Sequence, residues 1–330
     1  MTNPTKGSAT GLPNPFPVEL TPPDISAYAK GTGSIPYIWT FDSGVAGPHV
    51  AITAIVHGNE PCGALTLDWL MRRDTRPVRG KLSFAFINVA AHEAFDPEIP
   101  DASRWIDEDL NRLWSTAVLD DPDRKLTEEL RRAREVRPWL DTVDMLLDIH
   151  SMQNKAQALT IAGLRPKGRE LARSVGYPDL VINDHGHAEG VRMRDYGGFG
   201  DPASPRNAML VECGQHWEAA AEGAAMETAI RFLCATGATA PDFGQDWLSQ
   251  RPAPATMQFL QVSRAVTIET DDFRFAQDWR GLERLPQDTL IGHDGPTEVR
   301  APHPVTVLIM PSRRLWRGKT AVRLAEPVAG

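Results

Sequence analysis

The chain has 330 residues, 42% hydrophobic and 24% charged, with a formal charge of −8, a balance that lets a water-soluble globular protein bury a sizeable core. No apolar run approaches the roughly 20 residues that span a bilayer, and no basic stripe is present to follow a phosphate backbone, so neither a membrane protein nor a nucleic-acid binder is expected. Cys62, Cys213 and Cys234 form no CxxC pair or disulfide framework, and the opening MTNPTKGSATGLPNPFP lacks a secretory pattern, which together make the cytoplasm the expected compartment.

Residues 1–45 are rich in Pro, Gly, Ser and Thr and read as an extended N-terminal arm. Residues 46–240 then alternate strand-length apolar runs with helical segments, the pattern of an α/β domain. HVAITAIV, KLSFAFINV, MLLDIH, ALTIAG and NAMLVECG read as strands buried on both faces. PCGALTLDWLMRR opens a helix with Pro61, and in DRKLTEELRRAREV the residues Leu126, Leu130 and Ala133 fall on one face, leaving Glu128, Arg131 and Arg132 solvated. An Ala-rich helix ends at Gly237. A Pro-containing connection over 241–256 precedes residues 257–330, whose strand-like VSRAVTIET, PVTVLIM and AVRL read as a small β-rich domain.

Polar residues gather where the apolar runs stop. His57 and Glu60 follow the first run in HGNEP, and His150 ends the run MLLDIH. Strand ends are where an open α/β sheet presents groups to a ligand, and two histidines with one glutamate make a hydrolytic zinc site that keeps a position open for water. Asp148, two residues before His150 on the same side of the strand, reads as a supporting acid. Glu212 closes a further apolar run in MLVECGQHW, where burial raises a carboxyl pKa toward the range useful for proton transfer. Arg104, Asp109, Asn111 and Arg112 cluster in ASRWIDEDLNRLW, and an arginine fork beside an amide suits a carboxylate, hence an anionic substrate.

In this order HGNE, DLNR, D-x-H and E-C-G resemble the succinylglutamate desuccinylase/aspartoacylase family, a branch of the zinc carboxypeptidase superfamily, from about His49 to Trp217. The resemblance implies a zinc-carboxypeptidase-like mixed sheet flanked by helices, followed by a small C-terminal β-rich domain. It implies one zinc ion per chain on His57, Glu60 and His150, with Glu212 as general base and Arg104 polarising the scissile carbonyl. Asn111 and Arg112 would bind the substrate carboxylate, Asn88 would join them, and Asp109 would brace the loop. A further carboxylate-binding arginine would come from Arg192, Arg194 or Arg206, and aspartoacylases add a C-terminal tyrosine. Here Tyr28, Tyr37, Tyr177 and Tyr196 all precede the connection.

The expected activity is zinc-dependent hydrolysis of an N-acyl amino acid or a related small, carboxylate-bearing amide. A carboxypeptidase-like peptidase and a non-catalytic metal-binding protein are the alternatives. His216 is expected to line the pocket, and His185 and His187 read as a polar loop rather than a second metal site. Cys62 and Cys213 are expected to pack rather than ligate. Exposed apolar surface on the β-rich region leaves room for a homodimer.

Overall fold

A parallel pairing of three almost wholly buried strands organises the molecule. The computed structural model describes residues 16–184, 186 and 189–329. The strands are β1 (Ile38–Asp42), β2 (His49–Ala54), β3 (Lys81–Phe86), β4 (Met145–Met152), β5 (Leu159–Ile161), β6 (Leu180–Asn183) and β7 (Asn207–Gln215). The C-terminal region adds β8 (Gln258–Thr267), β9 (Arg274–Phe275), β10 (Arg284–Pro286), β11 (Leu290–Asp294), β12 (Thr297–Arg300), β13 (Val305–Ile309) and β14 (Thr320–Val328).

Eleven strands form one mixed sheet in the order β1-β3-β2-β4-β7-β5-β6-β8-β14-β13-β10. β2, β4 and β7 lie side by side in parallel, so their carboxyl ends reach one edge of the sheet together. Every residue of β2 and β7 is buried, which is why these runs are continuously apolar instead of alternating. Helices Pro61–Arg72 and Ala219–Ala235 cover one face around Leu67, Leu70, Ala225 and Phe232. Helix Glu128–Leu140 covers the other with Leu130, Ala133 and Val136.

The C-terminal region is β-rich, as expected. Its first strand pairs in parallel with β6, so the central sheet runs on without a break into β14, β13 and β10. β9, β11 and β12 make a separate three-stranded sheet, and this region has its own core around Phe273, Trp279, Ile291 and Leu308. No helix among the described residues is long and apolar enough to cross a membrane.

Two sequence expectations need correction. Ile38–Asp42 is a strand antiparallel to β3, so the stretch read wholly as an arm already contributes to the sheet. Upstream of it, Glu19 and Leu20 donate backbone hydrogen bonds to the Trp217 carbonyl, and the Glu19 carboxylate accepts from Ala219 N at 2.8 Å. The charged helix starts at Glu128, where the Thr127 hydroxyl accepts from Leu130 N, rather than upstream. Leu126 therefore lies outside the helix and is 57% exposed, while Arg132 is buried and donates to the carbonyls of Phe86 and Ile87 at 2.9 and 2.8 Å. Glu129, also buried, accepts from Ile106 N, Asp107 N and Glu108 N. The two charges on this helix thus tie down the end of β3 and the start of the DLNR loop.

Candidate metal centre and catalytic cleft

After β2 the chain turns abruptly. Ile55 takes φ 52°, a conformation that costs a β-branched residue of order 1–3 kcal/mol and that the surrounding packing must enforce. Gly58 then lets two loops touch. Its N–H donates to the Arg104 carbonyl at 3.1 Å, and an added Cβ would lie 2.3 Å from Ala91 C and 2.5 Å from Ser103 O. The neighbouring Asn59 carbonyl accepts from Trp217 Nε1 at 3.1 Å, and Glu60 leads into helix Pro61–Arg72. This segment is therefore clamped from three directions.

The clamp sets Glu60 between two imidazoles. His57 Nδ1 lies 2.9 Å from Glu60 Oε1, and His150 Nδ1 lies 3.0 Å from Oε2. One ligand atom from each of the three residues falls within 4.8 Å of the others, and all three side chains are buried. Burial alone would push the Glu60 carboxyl up, but the charges of His57 and His150 hold it well below the usual carboxylate range. His150 is raised well above its ordinary value: burial opposes the shift, and Asp148 and Glu60 outweigh it.

The outer nitrogens have partners of their own. His150 Nε2 lies 3.0 Å from Asp148 Oδ2, and Asp148 in turn accepts from Thr53 Oγ1 at 2.8 Å. His57 Nε2 lies 3.0 Å from Asp109 Oδ1. Both rings thus turn Nδ1 toward Glu60 and Nε2 toward an aspartate, an arrangement of carboxylates around imidazoles that orients the rings of metal-ligating histidines. The donor set of two nitrogens and one carboxylate fits a divalent zinc ion with room for a further ligand.

Beside the triad opens a cleft of about 360 Å³. Glu212, opposite His150 in the β4–β7 register, lines it. Its Oε2 is buried without a hydrogen-bond partner, and its pKa is pushed up to about 8, chiefly by burial. Arg104 lines the same wall, with NH1 donating to Glu60 Oε1 at 3.1 Å and NH2 lying 3.0 Å from His57 Nε2. Arg112, also on the wall, donates NH1 to the Asn111 carbonyl, sits 3.7 Å from Asp109 Oδ2, and leaves Nε unpartnered. Asp109 lies between the two arginines and is held well below its ordinary pKa, burial being outweighed by Arg112 and His57. His216 lines the cleft with Nδ1 2.8 Å from Ser151 Oγ and Nε2 unpartnered. Its pKa falls to about 3, mainly through burial, so the ring is neutral at ordinary pH.

Other expected site residues lie behind this surface. Asn111 Oδ1 accepts from Met193 N at 2.8 Å and Nδ2 sits 3.4 Å from His150 Nε2, so its amide faces the protein rather than the cleft. Asn88 donates Nδ2 to Glu129 at 3.2 Å and likewise does not reach the cleft wall, being absorbed in the support of the DLNR loop. Arg192 pairs with Asp184 and Asp195, Arg194 with Asp195 and two carbonyls, and Arg206 with the carbonyls of Val143 and Leu140. None of the three lines the cleft. His185 and His187 lie outside the described residues. Cys62 and Cys213 are buried and face each other beneath the site, where burial and the neighbouring thiol raise Cys213 well above its usual value.

The C-terminal region supplies what the motifs do not contain. Leu282, Met310, Arg314, Trp316, Lys319 and Arg323 all line the cleft. The signal in the sequence was the basic-aromatic run SRRLWRGK after an apolar strand, which on its own reads as a surface loop.

Residues 46–198 match the family model described as the succinylglutamate desuccinylase/aspartoacylase catalytic domain. Among solved structures, the chain is similar to succinylglutamate desuccinylase from Vibrio cholerae, at 18% identity and TM-score 0.65 over 89% of this chain and 86% of that one. The succinylglutamate desuccinylase of Vibrio parahaemolyticus gives 16% identity and TM-score 0.64 over 86% and 82%. Murine aminoacylase 3 gives 19% and 0.57 over 86% and 96%. No curated protein matches the sequence. At these identities the structural likenesses speak for the fold.

Proposed function

We propose that this chain, which belongs through residues 46–198 to the succinylglutamate desuccinylase/aspartoacylase family, is a zinc-dependent deacylase of a small amide that carries a carboxylate. The observation that carries the reading is the convergence of a buried His57–Glu60–His150 donor set and the unpartnered Glu212 carboxylate on one cleft that also displays Arg104 and Arg112. His57, Glu60 and His150 would hold the ion. Zinc bound there would supply Lewis acidity, acidifying water toward a pKa of about 7 and polarising a carbonyl oxygen.

The protein groups then divide the work by charge. Glu212 Oε2 takes a proton from the attacking water and later gives it to the departing nitrogen, so that amide plus water become a carboxylate and an amine. A positive centre nearby lowers the raised pKa of this carboxyl and makes its ionised form available. Arg104 presents its guanidinium to the oxygen that becomes negative, an interaction whose loss typically costs about 3 kcal/mol in the barrier. Arg112 holds the substrate carboxylate, and Asp109 keeps both arginines in place.

The reading is tested by metal analysis of the gently purified protein together with a panel of N-acetyl, N-succinyl and N-aroyl amino acids beside short peptides. About one zinc per chain and turnover of N-acyl amino acids support it. A chain that holds no metal and gains no activity on adding zinc overturns it, and selective cleavage of peptides replaces the deacylase with a peptidase.

A further inference from the structure

Midway along β8 the alternation of buried and exposed residues breaks. Ser263, Arg264 and Ala265 are exposed in succession between the buried Val262 and Val266. The register against β14 explains this: Arg264 faces Leu324 and Val262 faces Ala325, which leaves Ser263 as the extra residue of a β-bulge. A bulge re-aims a side chain, and here the Ser263 hydroxyl turns toward an imidazole, that of His303, whose Nε2 lies 2.6 Å from Oγ.

The imidazole is held in place by its own turn. His303 sits between Pro302 and Pro304, whose rings fix the backbone angle φ on either side. Its N–H donates at 3.0 Å to the hydroxyl of Thr306, a fully buried residue of β13. On the far side of the ring Glu326 brings a carboxylate oxygen to 3.6 Å from Nδ1, which favours a proton on that nitrogen and leaves Nε2 as an acceptor. The Ser263 hydroxyl has a single proton and a second acceptor, the Leu324 carbonyl at 3.2 Å; the shorter approach is to the imidazole. Hydroxyl, imidazole and carboxylate in this order are what an activated serine requires. The hydroxyl stands at the exposed bulge while the imidazole is 19% exposed, so a reactant can reach the serine and the base stays ordered. None of the three residues lines the metal cleft.

We propose that Ser263 is an acyl-accepting site, with His303 as its base, that takes an acyl group from a small activated ester or thioester. The bond between Oγ and the acyl carbon forms, and the bond from that carbon to the leaving oxygen or sulfur breaks. The hydroxyl proton passes to His303 Nε2 and from there to the leaving group, so no further reactant is consumed. The site stands apart from the cleft and does not depend on the deacylase reading.

The metal-loaded protein is treated with para-nitrophenyl acetate at neutral pH, and acetyl groups are located by peptide mass spectrometry. Ser263 is expected to be acetylated about a hundredfold faster than Ser26 and Ser249, exposed serines of the same chain that serve as internal comparison. Ser263→Ala should lose the adduct on that peptide and leave any turnover in the cleft as it was. His303→Ala should slow acetylation of Ser263 by about a hundredfold, and imidazole added to the solution should restore part of the rate at Ser263 in preference to Ser26, which a merely structural role of the ring would not produce. Glu212→Gln should still be acetylated at Ser263, so that failure of the deacylase reading and failure of this one are told apart. Acetylation of Ser263 no faster than that of Ser26 and Ser249, or an unchanged rate in a folded His303→Ala or His303→Gln, overturns the proposal.

Discussion

Glu212 stands opposite His150 in the parallel register of β4 and β7, so one strand-to-strand step delivers a committed imidazole and an uncommitted carboxylate to the same sheet edge. His150 has partners on both nitrogens; Glu212 leaves Oε2 bare. On the proposed reading this asymmetry separates holding from reacting, and it can be tested.

Replacing Glu212 by Gln keeps the shape and removes the proposed base. Metal content measured by mass spectrometry should stay near the wild-type value while kcat falls by about 10²–10⁴-fold. A fully active Glu212→Gln would refute the base assignment.

Metal removal should cost stability, because an ion held by His57, Glu60 and His150 binds the folded chain and not the unfolded one. A ligand present at a hundredfold over its Kd stabilises by about 2.7 kcal/mol. Treatment with a chelator is expected to lower the thermal midpoint and added zinc to restore it; His150→Ala should abolish the difference between the two conditions.

Acid lability is expected from Asp195, whose pKa is lowered to about 2: burial acts upward, and Arg192 and Arg194 overcome it. A carboxyl depressed in the folded state contributes stability that is complete above its unfolded value near 3.8 and fades as pH falls toward 2. The contribution at neutral pH is about 2 kcal/mol. Urea midpoints between pH 5 and 2 should therefore drop more steeply for the wild type than for Asp195→Asn, which starts lower and varies less.

Glu129 is expected to govern the site from beneath. It accepts three backbone N–H groups, from Ile106, Asp107 and Glu108, in the loop between Arg104 and Asp109. Glu129→Ala strands these donors and should destabilise the protein by about 3 kcal/mol. It should also lower kcat/KM by tenfold or more as Arg104 and Asp109 shift. A variant that loses stability yet keeps full kcat/KM at a temperature where it is folded would dissociate the loop from catalysis.

The site was legible in the sequence where it is local. His57, Glu60, His150 and Glu212 each follow an apolar run, and parallel neighbours place such ends together, so their convergence could be read from order alone. Helix faces were less secure. Starting the charged helix upstream of Thr127 put Leu126 on the buried face, and the stripe of Leu130 and Ala133 was read too narrowly, since the buried face also takes in Glu129, Arg132 and Val136. Asn88 and Asn111 looked like ligand groups because buried amides in motifs often are, yet each is consumed by backbone or side-chain partners only visible in three dimensions. Arg314 was illegible for a different reason: it meets Trp105 across more than half the chain, and no periodicity or spacing records such a contact.

The strand-end groups His57, Glu60, His150 and Glu212 and the basic loop belong to different kinds of connection. The former hang on parallel strands whose crossovers fill both faces of the core, so their length and path are fixed by packing. The loop over 310–319 merely joins two antiparallel neighbours, β13 and β14. Such a turn can be lengthened, shortened or exchanged without re-threading the molecule. In this fold the strand-end groups are held by the core, while part of the cleft rim rides on a replaceable connection.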